Sequence, residues 1–174
     1  VFTMRPATET DVAGVASMIT ARCGWQEKRG LESWREMVAE LAGQAGTGSM
    51  WVLVDGGRIV GCTTVMTQAP PKDWTPEEAA EPALYLFTTV TDPAYREHKP
   101  GTLIALWAVD QAARQGREWV RRGCFFPELV KYYQTQGFAL VKEQDRSAGH
   151  LYLLARRAER LDLGRLGMME PSTV

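Results

Sequence analysis

Between residues 90 and 101 the chain reads Val90-Thr91-Asp92-Pro93-Ala94-Tyr95-Arg96-Glu97-His98-Lys99-Pro100-Gly101. Upstream, Leu84 to Val90 is a dense apolar and β-branched run, the pattern of a central strand covered on both faces. Downstream, Leu103, Ile104, Trp107, Ala108 and Ala112 fall on one side of a helix between Gly101 and Gly116, with Gly116 placed to end it. Asp92-Pro93 marks the strand's exit, so the segment joins a buried strand to a helix N-terminus. Such a junction favours anions, because unpaired backbone N–H groups and the helix dipole point into the loop. Arg96 and Lys99 add cationic donors suited to a phosphate. On these residues alone, a solvated surface turn explains the same charges equally well.

Working outward, Phe2-Thr3-Met4-Arg5 alternates as a short strand, and the Thr8 to Asp11 spacing starts a helix near Glu9. Val12, Val15, Ala16 and Ile19 then recur on one helical face. Leu31, Trp34, Val38 and Leu41 repeat the pattern and predict a second helix. Met50 to Val54 and Ile59 to Met66 are β-rich runs separated by Asp55-Gly56-Gly57, a hairpin signal. Gln68 to Pro82, rich in proline and acidic residues, predicts a long surface connection. Past the central helix, Trp119 to Gly123 predicts a strand, Pro127 to Gln136 a short helix, and Phe138 to Val141 and His150 to Ala155 two further strands. The order β, α, α, three β, α, β, α, two β is a mixed α+β arrangement.

A chain of 174 residues fits one domain, here 1–157, followed by a tail, 158–174, of uncertain structure. At 45% hydrophobic and 24% charged, its composition is that of a globular chain with a sizeable core. Twenty Lys plus Arg against twenty-one Asp plus Glu give a net charge of -1, without the basic excess of a nucleic-acid binder. No apolar run approaches the roughly 20 residues of a bilayer span, and no signal-peptide pattern opens the sequence, so the expectation is a cytoplasmic protein without a membrane partner. Cys23, Cys62 and Cys124 are odd in number and widely spaced, which disfavours a disulfide framework and a zinc site and predicts buried thiols.

Met4-Arg5-Pro6-Ala7 with Asp11, the 90–96 segment, and Lys131-Tyr132-Tyr133 with Gly137-Phe138 occur in an order and at separations that resemble the GNAT superfamily of acyl-CoA-dependent N-acetyltransferases. The resemblance runs from about Met4 to Ala155. It implies a mixed, mostly antiparallel central sheet flanked by helices, with the fourth and fifth strands splayed into a CoA cleft. It implies acetyl-CoA as acyl donor, its pantetheine arm pairing with backbone near Val90. The family's pyrophosphate loop, Q/R-x-x-G-x-G/A, maps onto Arg96, Glu97, His98, Lys99, Pro100 and Gly101, with Thr102 next in the chain. Arg96 and Gly101 match its ends, whereas Lys99 stands where the first glycine belongs and Pro100 follows it. Tyr133 matches the tyrosine that protonates the departing CoA thiolate. Phe126 occupies the position seven residues earlier where the family often has asparagine.

The implied reaction is direct acetyl transfer to a primary amine of a small molecule or peptide, with no covalent enzyme intermediate. A neutral tyrosine suits the acid role, since its ordinary pKa is near 10. The sequence shows no clear base: Glu81, Glu128, His98 and water are the alternatives. Cys124 as a nucleophile lacks a nearby histidine and reads better as packing. Trp34, Trp107 and Trp119 read as core, while Trp25 and Trp74, in or near connections, read as pocket residues. Asp73, Glu77, Glu78 and Glu81 form an acidic stretch that either attracts a cationic amine or is simply solvated. The altered loop leaves a non-catalytic acyl-CoA-binding module as the alternative function, and a homodimer is compatible with either.

Overall fold

The computed structural model describes residues 1–171, so the last three residues of the expected tail, 172–174, lie outside the described residues. The described residues form strands β1 (Phe2–Pro6), β2 (Met50–Asp55), β3 (Arg58–Met66), β4 (Ala83–Thr91), β5 (Trp119–Cys124), β6 (Ala139–Arg146) and β7 (Gly149–Arg157), together with five α-helices. These are α1 (Val12–Glu27), α2 (Val38–Gly43), α3 (Pro76–Ala79), α4 (Pro100–Arg114) and α5 (Pro127–Thr135). The strands follow the order β1-β2-β3-β4-β5-β7-β6; of the pairings described, only that of β4 with β5 is parallel. The chain divides into two compact units, one of Val1–Thr64, Thr88–Ile104 and 162–171, the other of Val65–Phe87 and Ala105–Leu161.

In the first unit, β2 pairs antiparallel with β1 and with β3, the latter through the Asp55-Gly56-Gly57 turn, where Gly56 takes φ 61°. That left-handed conformation carries no steric penalty only at glycine. The Thr8 amide donates to Asp11 Oδ2 at 2.8 Å, tying down the start of the first helical segment. Val15, Met18, Ile19 and Cys23 of α1 are buried with Leu41, Met50, Val52 and Cys62, while Val12 and Ala16 pack at the edge of the same core. Each fully buried aliphatic side chain is worth about 1.5–3 kcal/mol. Phe2 accepts from the Met169 amide and donates to Gly167 O, so residues 167–169 lie along β1, with Leu163 and Met168 buried.

The helix predicted over 31–41 is shorter than its periodicity implies. Residues 31–34 are irregular, Arg35–Met37 form a single 3-10 turn, and α2 begins only at Val38. Leu31 and Trp34 are exposed, which corrects the reading of Trp34 as core. Glu27 explains the difference: it accepts from Ser33 Oγ at 2.6 Å and from Arg35 Nη2 at 2.7 Å, holding the segment in a turn behind Gly30 at φ 70°. Local side-chain bonds of this kind compete directly with helix.

In the second unit, the start of β4 pairs parallel with β5, from Ala83 opposite Trp119 to Leu86 opposite Arg122. The ladder ends there, although β4 continues to Thr91 and β5 to Cys124. β5 pairs antiparallel with β7, and β7 with β6. Only the first residues of β6 are apolar; its later half is Lys142-Glu143-Gln144-Asp145-Arg146, extending the strand well past the predicted Val141. The connection over 68–82 is not purely a surface loop. Thr75 and Glu78 cap α3 reciprocally, and Trp74 is buried with Ala83, Tyr85, Leu151 and Leu153. Trp74 is therefore a core residue here, held under Arg121 at 4.7 Å and Lys142 at 5.4 Å from its ring centre. Among the described residues no helix is long and apolar enough to cross a membrane.

Candidate functional site

The end of β4 departs from regular strand geometry. Thr88 has φ 44°, a left-handed conformation that is a strong outlier for a β-branched residue and is found where surrounding structure enforces it. The next residue, Thr89, shares a 2.9 Å hydroxyl–hydroxyl bond with buried Thr63. Val90 is buried, and a Cβ added to Gly61 would stand 3.5 Å from its carbonyl and 2.9 Å from Ile104 Cδ1, so glycine is required for this approach. Arg22 reaches from α1 to donate to both the Thr91 carbonyl and the Thr91 hydroxyl at 2.9 Å.

Asp92 then anchors the loop. Its amide donates to Val60 O at 2.8 Å, while its carboxylate accepts from the Ala94 amide at 2.9 Å and from Arg58 at 2.7 Å. A 3-10 turn, Pro93–His98, follows, fixed by Tyr95, whose hydroxyl donates to Asp55 Oδ2 at 2.8 Å. That bond pushes the Tyr95 pKa up, so its proton is held. The His98 ring lies against Phe2 and Tyr95, at 5.5 and 5.7 Å between centres. Lys99 takes φ 52° and ψ 57°, which a glycine adopts without strain, and its carbonyl accepts from the amides of Thr102 and Leu103. Helix α4 starts immediately at Pro100, and the side chains of Arg96, Glu97, His98 and Lys99 are exposed.

Beside this loop, within the same unit, an open groove of about 520 Å³ is lined by Trp25, Lys28, Arg29 and Arg96 among others. Trp25 is covered by Arg29 at 3.9 Å and Arg22 at 4.8 Å from its ring. Trp25 thus lines a groove as the sequence suggested. Arg22, Arg29 and Arg58 were missed, because an isolated arginine in a helix or hairpin has no distinguishing pattern.

In the second unit, Phe126 precedes α5 and is 59% exposed, and Pro127 opens the helix. Tyr133 and Val130 lie on the buried face. Above the Tyr133 ring sits Arg122 of β5, its guanidinium carbon 3.8 Å from the ring centre. Burial pushes the Tyr133 hydroxyl up, against the opposing pull of Arg122, so the phenol is protonated at neutral pH. Cys124 bonds weakly to Phe126 O at 3.7 Å, and burial raises its thiol, as it raises that of Cys62 to about 12. All three cysteines are buried and free. An inert, buried thiol is the structural reading of Cys124.

The suggested bases are placed differently from one another. Glu81 accepts from Arg121 at 2.6 Å and from the Trp119 indole at 3.2 Å, so both its oxygens are engaged. Glu78, its neighbour in the acidic stretch, pairs with Lys142. Glu128 is exposed in the first turn of α5. Val90 and the 96–102 segment belong to the first unit, Tyr133 to the second.

No protein-family model matches the sequence, and no curated protein does. Solved structures do match. A GNAT-family acetyltransferase from Listeria monocytogenes is 18% identical with a TM-score of 0.69, the match covering 90% of this chain and 94% of that one. The ribosomal-protein-S18-alanine N-acetyltransferase of Escherichia coli is 12% identical, TM-score 0.62, over 93% and 97% of the two chains. An agmatine N-acetyltransferase is 11% identical, TM-score 0.61, over 90% and 99%. At these identities the likeness is one of fold.

Proposed function

We propose that this chain, which has the GNAT fold, is a cytoplasmic N-acetyltransferase carrying an acetyl group from acetyl-CoA to a primary amine of a small molecule or peptide. The observation that carries the reading is Tyr133: a buried, protonated phenol on α5, at the position where the family resemblance expects the acid. The 96–102 loop supports it. Lys99 makes the turn that a glycine would make, and the positive end of a fifteen-residue helix follows, with Arg96 and Lys99 exposed beside it. These residues fit a diphosphate. Arg96 and Lys99 hold its charge, and Glu97, His98, Gly101 and Thr102 supply the surrounding loop. Val90 offers backbone to the pantetheine arm. The free, buried thiols suit a reducing compartment.

Acetyl-CoA supplies the acyl group as an activated thioester. Tyr133 provides the proton that sulfur takes on leaving. Among solved structures of this fold, one named for agmatine and one named for a protein's alanine support both acceptor classes.

A second reading, a non-catalytic acyl-CoA-binding module, is favoured by Lys99-Pro100 in the loop and by Phe126 before α5. Calorimetric titration with acetyl-CoA, desulfo-CoA and adenosine diphosphate tests both. Saturable binding followed by transfer to an amine supports the enzyme; binding without transfer favours the module; no binding overturns both. In the enzyme, Tyr133→Phe slows turnover about 100-fold with cofactor binding kept. Unchanged turnover removes the acid role.

A further inference from the structure

Strand β5 carries two adjacent arginines, Arg121 and Arg122, and both are buried. Alternation along a strand sends them to opposite faces. Arg121 donates to Glu81 and to the Tyr85 hydroxyl, a bonded network that accounts for its burial. On the other face the Arg122 guanidinium carbon stands 3.8 Å from the Tyr133 ring centre and 5.8 Å from that of Phe138. A cation on the face of the proposed acid acts directly on that ring's ionisation.

We propose that Arg122 is the positioning residue of Tyr133, fixing the ring by stacking and stabilising the phenolate left when the proton is given up. The inference rests on the N-acetyltransferase reading above. In that reaction the amine nitrogen bonds to the acetyl carbon as the carbon–sulfur bond breaks, and the electron pair stays on sulfur. Tyr133 hands its proton to that sulfur and becomes a phenolate. The proton lost by the amine returns to it through solvent, so atoms and charge balance. A fixed cation at the ring lowers the barrier to the charged state, whereas burial raises it. The other groups acting on the Tyr133 hydroxyl are Cys124, at the end of β5, and Tyr132, its neighbour on α5; both push it up, leaving Arg122 as the cation that opposes burial. Arg122 is itself shifted down by burial, with Tyr133, Cys124 and Tyr132 acting the other way.

The test uses the full chain with Arg122→Met, Arg122→Lys and Tyr133→Phe. Tyrosinate absorbance is followed through alkaline pH, and the Tyr133 component is taken as the difference from the Tyr133→Phe protein. Arg122→Met moves that component up by about one pH unit, and Arg122→Lys, which keeps a cation, by less. With acetyl-CoA and either agmatine or an alanine-terminated peptide as the amine, Arg122→Met lowers kcat about tenfold, leaves the acetyl-CoA KM unchanged and shifts the alkaline limb upward. It has no further effect on a Tyr133→Phe background. An unmoved tyrosinate titration overturns the proposal, as does a kcat loss that persists in full without the Tyr133 hydroxyl. Should Arg122→Met not fold, Arg122→Lys carries the titration. If Tyr133→Phe retains full activity, the acid assignment fails on its own, while the titration still decides whether Arg122 acts on the phenol.

Discussion

The two faces of β5 bury the same charged group in two different ways. On one face Arg121 meets a carboxylate, a phenol hydroxyl and the Glu78 carbonyl, and with Trp74 beneath it the guanidinium ties the 73–81 connection to the strand. On the other, the Arg122 guanidinium carbon stands 3.8 Å from the Tyr133 ring centre. A cation held by a carboxylate is a structural clamp, since removing either partner leaves the other stranded. A cation set on an aromatic face biases that ring's chemistry. Burial alone does not distinguish the two; the chemistry of the partner does.

The sharpest break of this comparison is Arg121→Met. It strands the Glu81 carboxylate and the Tyr85 hydroxyl, and urea denaturation is expected to show a loss of about 3 kcal/mol, moderated by the partial exposure of Glu81. In Arg122→Met the lost contact with the Tyr133 ring is expected to account for about 1 kcal/mol. Equal losses would mean that both arginines are structural. A third cation, Lys99, extends the argument to the first unit. Lys99→Gly relieves the left-handed backbone and is expected to raise stability by about 0.5–1 kcal/mol while weakening acetyl-CoA binding, a divergence that thermal melts and calorimetry on one variant would reveal.

The smallest effect belongs to Arg5 and Asp11, a two-bonded ion pair with both contacts at 2.8 Å and Arg5 41% exposed. The Arg5 guanidinium draws the Asp11 carboxyl down to about 2. Because the folded value lies below the ordinary one, the pair's contribution is complete above about pH 4 and is lost as pH falls toward 2. Exposure keeps it under about 1 kcal/mol. Asp11→Asn should flatten stability across that interval, measured by denaturation at stepped pH.

The strand, loop and helix from Leu84 to Gly116 were legible because apolar runs and punctuating Gly and Pro act locally. So were the Asp55-Gly56-Gly57 hairpin and the buried thiols. The turn at 31–37 was not, because Glu27 overrides the apolar spacing from eight residues away. Trp74 was misplaced because its cover comes from Arg121 and Lys142, far along the chain. Tyr133 and the 96–101 loop could be singled out as candidates only through the family resemblance, and Lys99 by its standing in a glycine's place. Arg122 could not. Adjacent arginines look identical in sequence, and their partners lie on elements that only the fold brings near.

The partners of Arg121 lie 36 to 43 residues upstream, so β5 can close its network only after a long loop has been ordered and two guanidinium groups have shed water. Both requirements slow its docking. Until then, Leu84, Tyr85 and Leu86 of β4 present an unpaired, apolar strand edge, the kind of surface on which newly made chains associate. Substitutions that slow β5 further are expected to lower the soluble yield of the protein before they lower the stability of what has folded.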